Sequence, residues 1–145
     1  MLCLDNFVNI TEKDEFGYHE MMVHPCLVAH KNPQSVLIIG GGDGGVIREV
    51  LRHECVKKLV EVEIDGEVIQ ASREYFPQVA LGYDSKKLEL IVGDGIDFML
   101  KAPSESFDII LVDSTDPGGP SEELFSEEFY ENCKRVLTKD GILVT

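Results

Sequence analysis

The sequence predicts a doubly wound α/β fold with a mostly parallel sheet. Two observations predict it. Short unbroken runs of Val, Ile and Leu alternate along the chain with segments of helical periodicity. Unbroken apolar runs are typical of strands buried on both faces, and strands that alternate with helices form a parallel sheet covered on both sides.

Five apolar segments are predicted to be the strands. Each is rich in β-branched or aliphatic residues and is bounded by residues typical of turns or strand ends. They are SVLIIG at 35–40, KLVEVEID at 58–65, LELIVGD at 88–94, FDIILVD at 107–113 and GILVT at 141–145.

The segments between the strands are predicted to be helices. They are 44–53, 66–76 and 121–137, with a short turn of helix near 96–100. In the last helix, apolar residues recur at helical spacing from Leu124 to Leu137, which leaves its glutamates facing water. Phe98 and Phe107 are predicted by the same reasoning to be core residues.

Composition limits the classes of partner. The 145 residues fit one domain, and 43% of them are hydrophobic, which is enough for a core. The 27 acidic and 13 basic residues give a net charge of -14. That charge disfavours nucleic acid and anionic membranes as partners and favours small cationic ones.

Cysteine usage and the amino terminus indicate the compartment. The four cysteines are scattered without a C-x-x-C pair, which predicts free thiols in a reducing cytosol. The amino terminus has no basic start, and no run of 18 apolar residues occurs in the chain. We therefore expect a soluble cytoplasmic protein. The histidines lack metal-ligand spacing, so no metal is assigned.

Acidic residues follow each of the first four predicted strands. They are Asp43 after the first, Glu63 and Asp65 after the second, Asp94 after the third, and Asp113 after the fourth with Asp116 close by. Ligands of open parallel sheets bind outside the carboxyl ends of the strands. The acids therefore predict one convergent, strongly negative site.

The first of these acids lies in a glycine-rich turn. Gly40, Gly42 and Gly45 fit the spacing G-x-G-x-x-G, and Glu63 follows where an acid can accept hydrogen bonds from ribose hydroxyls. The pattern indicates either an adenosine ligand or only tight packing. Asp43 would repel a pyrophosphate, so a cationic adenosine ligand fits better. S-adenosylmethionine and its decarboxylated form both carry a sulfonium, and Asp43 favours the decarboxylated form, which lacks a carboxylate.

Two further clusters contain candidate catalytic residues. Asp113 and Asp116 stand three apart in a Gly/Pro loop, where a carboxylate can bind an alkylammonium and take its proton. The alternative is that Asp116 only shapes a turn and Asp113 caps the following helix. Tyr18 and His19 precede Met21 and its neighbours, which are expected to pack on the sheet; such a Tyr-His pair is either structural or functional.

The chain resembles the spermidine synthases, the polyamine aminopropyltransferases, in five successive blocks. These are TEKDEFGYHEMMVH, NPQSVLIIGGGDGGVIREVLRH, VEIDGEVIQASREYFP, VGDGIDF and FDIILVDSTDPGGPSEELFSEEFY. The resemblance implies a Rossmann-like, methyltransferase-like fold. It also implies transfer of an aminopropyl group from decarboxylated S-adenosylmethionine to putrescine, giving spermidine and 5'-methylthioadenosine.

The resemblance also implies roles for residues of this chain. The aminopropyl donor would be contacted by His19, Gly40, Gly42, Asp43, Glu63, Asp94, Gly95 and Pro120. Of these, Glu63 would hold the ribose hydroxyls, Asp94 and Gly95 the adenine, and Pro120 would line the adenine pocket. Asp43 and Asp113 would hold the aminopropyl ammonium.

The amine acceptor would be bound by Tyr18, Asp113 and Asp116, with Asp113 as the base and Tyr18 assisting it. No metal is needed for this reaction.

The same resemblance implies a division of the chain. Residues 1–15 would be a remnant of an amino-terminal β-domain and its lead-in, and residues 16–145 a catalytic domain truncated after its fifth strand. Asn9 stands where the resemblance leads us to expect glutamine. A homo-oligomer, either dimer or tetramer, is expected of the full-length form.

Three hypotheses about function remain open. The chain is an aminopropyltransferase or its donor-binding core, a putrescine N-methyltransferase that uses intact S-adenosylmethionine, or a non-catalytic truncated paralogue that acts as an interaction subunit. Asp43 argues against the second hypothesis.

Overall fold

The computed structural model describes residues 1–4, 7–117 and 119–145, with no side-chain description at positions 4, 7, 119 and 120. The strands are β1 (Leu2–Leu4), β2 (Phe7–Ile10), β3 (Ser35–Gly40), β4 (Lys58–Glu63), β5 (Leu88–Val92), β6 (Phe107–Asp113) and β7 (Leu137–Val144). The α-helices are α1 (Glu15–Ala29), α2 (Gly45–Leu51), α3 (Gly66–Tyr75), α4 (Gly95–Lys101) and α5 (Glu127–Val136). Two 3₁₀-helices, Ala80–Asp84 and Gly119–Phe125, complete the described elements.

A five-stranded parallel sheet forms the centre of the molecule. Its order is β5-β4-β3-β6-β7, so the chain winds outward from β3 in both directions. Alternate residues of β3 enter two separate cores: Val36 and Ile38 pack with α1 and α2, and Leu37 and Ile39 pack with α4 and α5. The predicted doubly wound fold is confirmed, because both faces of the central strands are buried.

The prediction of one continuous helix over 121–137 is wrong. Residues Gly119–Phe125 form a 3₁₀-helix, and a new α-helix begins after Ser126. The Ser126 hydroxyl accepts a hydrogen bond from the backbone N–H of Phe129 at 3.2 Å, which caps α5. Strand β7 then begins at Leu137, earlier than the predicted 141–145. The glutamates of this region are exposed, as predicted.

Helix α1 is held against α2 by a buried acid. Glu49 of α2 is 1% exposed and contacts Arg48 Nε at 2.8 Å, Arg52 at 2.7 Å and His24 Nε2 at 3.2 Å. On α1 itself, Val23 is buried, but Met21 is 70% exposed, so the expectation that Met21 packs on the sheet is wrong. The helix turns Met21 outward because it lies two positions from the buried Val23.

The short strands β1 and β2 form a separate antiparallel pair. The four cysteines are free thiols, as the scattered spacing predicts. Within the described ranges, no helix has both the length and the apolar character that crossing a membrane requires.

Candidate active site

The predicted acids converge because β3 lies between β4 and β6. Gly40, the last residue of β3, is level with Asp113 at the end of β6. The next residue, Gly41, donates its backbone N–H to the Asp113 carbonyl at 2.9 Å. On the other side, Gly42 donates its N–H to Glu63 Oε2 at 3.0 Å. The glycine loop is therefore tied to both neighbouring strands.

Packing explains why this loop needs glycine. Gly40, Gly41 and Gly44 have φ of 81°, 77° and 86°, a region that residues with a side chain rarely adopt. A Cβ on Gly40 would lie 2.0 Å from the Asp113 carbonyl oxygen, and one on Gly42 would lie 2.9 Å from Glu63 Oε2. The tight packing weighed as an alternative is thus present.

Asp113 has one satisfied and one unsatisfied oxygen. Tyr18, half exposed on α1, donates its hydroxyl to Asp113 Oδ1 at 2.6 Å. Asp113 Oδ2 is buried and has no hydrogen-bond partner among the described residues. Burial and the nearby Asp43 raise the pKa of Asp113 to about 6, against the opposing influence of Tyr18 and His19. The group is therefore a carboxylate near neutral pH and can accept a proton.

His19 lies fully buried between two acids. Its Nδ1 is 2.6 Å from Glu15 Oε2, and its Nε2 is 3.3 Å from Asp43 Oδ1. The second contact is too poorly aligned to be a hydrogen bond, so we treat it as an ion pair. Burial alone would lower the pKa of His19, but Asp43 and Glu15 outweigh burial and raise that pKa to about 9. His19 is therefore an imidazolium at neutral pH.

The imidazolium is fixed in position from two sides. Arg48 of α2 contacts Glu15 Oε2 at 2.9 Å, which orients the carboxylate that contacts His19. A Cβ on Gly45 would lie 2.2 Å from His19 Cε1, so the start of α2 packs directly on the ring. Gly45 is thus required by the packing of His19.

The remaining predicted acids have structural partners. Asp43 Oδ1 accepts from the backbone N–H of Gly45 at 2.7 Å, at the start of α2. Glu63 is buried and accepts from the N–H groups of Gly42 and Asp65, at 3.0 and 2.8 Å. Burial raises the pKa of Glu63 above its ordinary value, although these N–H donors oppose the rise. Each carboxylate retains acceptor capacity for a ligand.

Among the described residues, Asp94, Gly95 and Asp116 have no hydrogen bond or ion pair with this cluster. Asp94 is exposed and caps α4, accepting from Ile96 N at 2.7 Å, with Gly95 beside it as the first helical residue. Asp116 is exposed in the loop after β6, and no contact among the described residues joins its carboxylate to Asp113. The Pro120 side chain lies outside the described residues.

Asp113 does not cap the next helix. The helical element that follows Asp113 is the 3₁₀-helix Gly119–Phe125, but Asp113 Oδ1 accepts from Tyr18 and Oδ2 has no partner among the described residues. Helix α5 is capped by Ser126. That alternative explanation of Asp113 is therefore wrong.

Three of the clustered side chains are also arranged as metal ligands are. His19, Asp43 and Asp113 each offer one ligand atom, and these atoms lie within 4.8 Å of one another. Sequence spacing did not suggest such a group because its members come from α1, the loop after β3, and β6. The cluster suits a cation of some kind, and the assignment of no metal stays a prediction.

Two buried residues beneath the loop were missed from the sequence. Glu61 of β4 is 0% exposed, and the Tyr83 hydroxyl lies 3.1 Å from its Oε1 and 3.0 Å from the Gly42 carbonyl oxygen. The signal for Glu61 was present, since a glutamate interrupts the apolar run of KLVEVEID. Tyr83 left no such signal.

A cavity among the described residues lies apart from this cluster. It has a volume of about 500 Å³ and lies between α4 and the strands β4 and β5, with Val60, Ile91 and Phe98 among its lining residues. It meets the carboxyl edge of the sheet at Gly93 and Asp94, and His19, Asp43 and Asp113 do not line it. We therefore place the candidate site at the acid cluster, where the charged groups converge.

Comparison with known proteins finds relatives over almost the whole chain. The family model of the spermine/spermidine synthase domain matches residues 15–145. The chain is 52% identical over 144 residues to polyamine aminopropyltransferase 1 of Bacillus cereus, covering 99% of this chain and 52% of the relative. It is 49% identical over 144 residues to the polyamine aminopropyltransferase of Moorella thermoacetica, covering 99% of this chain and 50% of the relative. The chain spans about half the length of these curated relatives.

Two solved structures are similar to this fold. One is a crystal structure of spermidine synthase in complex with the transition state analogue AdoDATO, with a TM-score of 0.94 and 46% identity over 97% of this chain and 48% of that chain. The other is spermidine synthase from Thermotoga maritima, with a TM-score of 0.91 and 46% identity over 97% of this chain and 47% of that chain.

Proposed function

Because the chain belongs to the spermine/spermidine synthase family, we propose that it carries the site of an aminopropyltransferase. The reaction moves an aminopropyl group from decarboxylated S-adenosylmethionine to putrescine and releases spermidine and 5'-methylthioadenosine. The names of the relatives, polyamine aminopropyltransferase and spermidine synthase, support this choice of reaction.

One observation carries the proposal: a buried, unpartnered carboxylate oxygen stands beside a tyrosine and a second acid. Asp113 Oδ2 lacks a partner among the described residues, and Asp43 is close enough to raise the pKa of Asp113. An ammonium placed there would satisfy the free oxygen and reduce the repulsion between the two acids. The site is therefore suited to a small organic cation.

The proposed chemistry is a displacement at carbon. The nitrogen of the attacking amine forms a bond to the carbon attached to sulfur, the carbon–sulfur bond breaks, and its electron pair stays on the sulfur. The positive charge thus moves from sulfur to nitrogen. Asp113 takes the proton of the amine, and Tyr18 holds Asp113 in orientation through the 2.6 Å hydrogen bond.

Other residues of the chain would bind the donor. Glu63 would accept hydrogen bonds from the ribose hydroxyls, and Asp94 with Gly95 would contact the adenine at the start of α4. Gly40 and Gly42 would allow the ligand to approach the backbone, and His19 would orient Asp43 toward the ammonium.

The predicted division of the chain is retained as part of the proposal. Residues 1–15 would belong to an amino-terminal β-domain and lead-in, and residues 16–145 to the catalytic domain. The separate β1–β2 pair and the family match from residue 15 support this division. Binding of putrescine by Tyr18, Asp113 and Asp116, contact of Pro120 with the adenine, assembly as a homo-oligomer and a cytoplasmic location remain predictions.

The first test is calorimetric titration of the chain with methylthioadenosine. Glu63→Gln keeps an oxygen that can accept from the N–H of Gly42 but loses the charge. We therefore expect methylthioadenosine to bind this variant more weakly than wild type by about 2 kcal/mol, the scale of a hydrogen bond to a charged group. Glu89→Gln, an exposed change on β5, is the matched control. No binding by the folded wild-type chain would reject the donor site and favour the interaction-subunit hypothesis.

The second test distinguishes the reactions. Decarboxylated S-adenosylmethionine should bind more tightly than the intact form because Asp43 repels the carboxylate; the reverse order would favour the N-methyltransferase. With putrescine present, Asp113→Asn should lower turnover by 10²- to 10⁴-fold, about the contribution of a general base. Equal turnover by wild type and Asp113→Asn would remove Asp113 from the chemistry.

A further inference from the structure

The glycine loop is supported from below by two buried side chains, Glu61 and Tyr83. The Tyr83 hydroxyl is 3.0 Å from the carbonyl oxygen of Gly42 and 3.1 Å from Glu61 Oε1. The ring also packs on the loop, since a Cβ on Gly44 would lie 2.8 Å from Tyr83 Cε2. On its amide side, Gly42 donates to Glu63. Gly42 is therefore held through both its N–H and its carbonyl group, directly before Asp43.

The Tyr83 hydroxyl lies within hydrogen-bond distance of two oxygens. A tyrosine hydroxyl has one proton to donate, and a carbonyl oxygen can only accept. If Tyr83 donates its proton to the Gly42 carbonyl, the Tyr83 oxygen can only accept a hydrogen bond from Glu61. The contact with Glu61 Oε1 is then favourable only when Glu61 is protonated and donates. If Glu61 is ionised, its Oε1 accepts the hydrogen bond from the Tyr83 hydroxyl, and the Gly42 carbonyl loses this donor.

The surroundings of Glu61 disfavour the ionised form. Its Oε2 is buried and has no hydrogen-bond partner in the described part of the chain. The charges that act on it are acids from three elements: Glu63 on β4, Asp43 after β3 and Asp113 on β6. Burial, and then these acids, raise the pKa of Glu61 to about 9 against the opposing bond from Tyr83. The cation Arg73 lies over the Tyr83 ring, 5.8 Å from its centroid.

We propose that Glu61 is a positioning residue, kept protonated so that Tyr83 holds the Gly42 carbonyl and thereby fixes the loop that presents Asp43. Loss of this proton at alkaline pH would turn the Tyr83 hydroxyl toward Glu61 and release the Gly42 carbonyl. Glu61 would affect catalysis only through the donor site, so this part of its role rests on the proposed function. The proton on Glu61 and the hydrogen bond from Tyr83 to Gly42 do not depend on a bound ligand.

The proton on Glu61 is tested by infrared spectroscopy of the ligand-free chain. In the difference spectrum between wild type and Glu61→Gln at pH 7, we expect the carbonyl band of one buried protonated carboxyl group. The matched difference with Glu89→Gln, an exposed glutamate on β5, should lack that band. Absence of the band from the Glu61→Gln spectrum would overturn the proposal.

The hold on the loop is tested by the carbonyl ¹³C chemical shift of Gly42 between pH 7 and 10. In the wild type it should move with pH toward the value found in Tyr83→Phe. In Glu61→Gln the amide N–H₂ still donates to Tyr83, so only the smaller change caused by His19 should remain. If the carbonyl ¹³C shift of Gly42 changes with pH by the same amount in wild type and in Glu61→Gln, the positioning role of Glu61 is refuted.

Ligand binding then connects Glu61 to function. If the loop is competent only when Glu61 is protonated, the ratio of the wild-type to the Glu61→Gln dissociation constant for methylthioadenosine should rise about tenfold from pH 7 to pH 10. His19 titrates in both proteins and cancels in the ratio. If neither wild type nor Glu61→Gln binds methylthioadenosine, only the proposed donor site is rejected. The two spectroscopic tests of Glu61 need no ligand and still decide its role.

Discussion

The charge of His19 gives the sharpest prediction. Asp43→Asn keeps an oxygen for the N–H of Gly45 but removes the charge 3.3 Å from His19 Nε2. At an effective dielectric constant of about 20, two unit charges at that distance interact by about 5 kcal/mol. Because Asp43 is partly exposed, we expect the smaller shift of about 1 to 3 pKa units typical of one nearby opposite charge. The pKa of His19 should thus fall from about 9 to roughly 6 to 8.

Stability should change with pH for the same reason. The pKa of His19 is raised by folding from 6.5 to about 9, so its contribution is complete below pH 6.5 and is lost as pH rises through 9. That shift corresponds to about 3 kcal/mol of unfolding free energy at 1.36 kcal/mol per unit. Glu61 acts in the same direction. Folding raises the pKa of this acid to about 9, so its contribution to stability is complete below the pKa of the unfolded chain and is lost as the pH rises toward 9. Asp43→Asn should reduce the His19 part most and the Glu61 part less, because the Asp43 charge also helps to raise the pKa of Glu61.

The measurement is an NMR titration of the imidazole carbons. His19→Gln identifies the signal, and Asp97→Asn, which removes an exposed acid on α4, is the matched control. Urea unfolding at pH 6, 8 and 10 gives the stability change in parallel. A wild-type pKa within half a unit of the ordinary value near 6.5, or a pKa that Asp43→Asn leaves unchanged, would refute the reasoning.

Four further variants test contacts within the fold. Gly45→Ala should lower the unfolding free energy by about 1 to 3 kcal/mol because its Cβ collides with His19, whereas Gly17→Ala, with nothing within 4 Å, should stabilise α1 by about 0.5 to 1 kcal/mol. Glu49→Gln should destabilise by about 2 kcal/mol, because it removes the buried charge that pairs with Arg48 and Arg52. Ser126→Ala should remove the cap of α5 and lower stability by about 1 kcal/mol. Urea unfolding checks all four variants, and a change of less than 0.3 kcal/mol in Gly45→Ala, Glu49→Gln or Ser126→Ala would contradict the corresponding contact.

The fold was predictable because its signal is local. Each central strand is an apolar run, so β3 and β6 were located to the residue from the sequence alone. The break at Ser126 was not, because the apolar spacing continues across it while the chain changes from 3₁₀ to α geometry. Periodicity reports which face is buried and does not report where a hydroxyl caps a helix.

The candidate site was predictable only in part. Strand order brings Asp43, Glu63 and Asp113 to one edge, and that followed from the alternation of strands and helices. The hydrogen bond from Tyr18 to Asp113 and the contact of Glu61 with Tyr83 join residues that are 95 and 22 positions apart. Such pairings depend on how helices dock onto the sheet, which no short pattern in the sequence records.

The central position of β3 has a consequence for how the protein is made. Tyr18 and Asp113 are 95 residues apart, so at synthesis rates of about 5 to 20 residues per second, Tyr18 leaves the peptidyl-transferase centre roughly 5 to 19 s before Asp113. During that interval β3 lacks its neighbour β6, and the glycine loop lacks the Asp113 carbonyl that accepts from Gly41. Contacts between residues so far apart in sequence form slowly, because the entropy of closing the loop between them opposes them. The acid crevice therefore forms only after β6 has been made and has paired with β3, and a ligand that binds the crevice would select chains in which that pairing is complete.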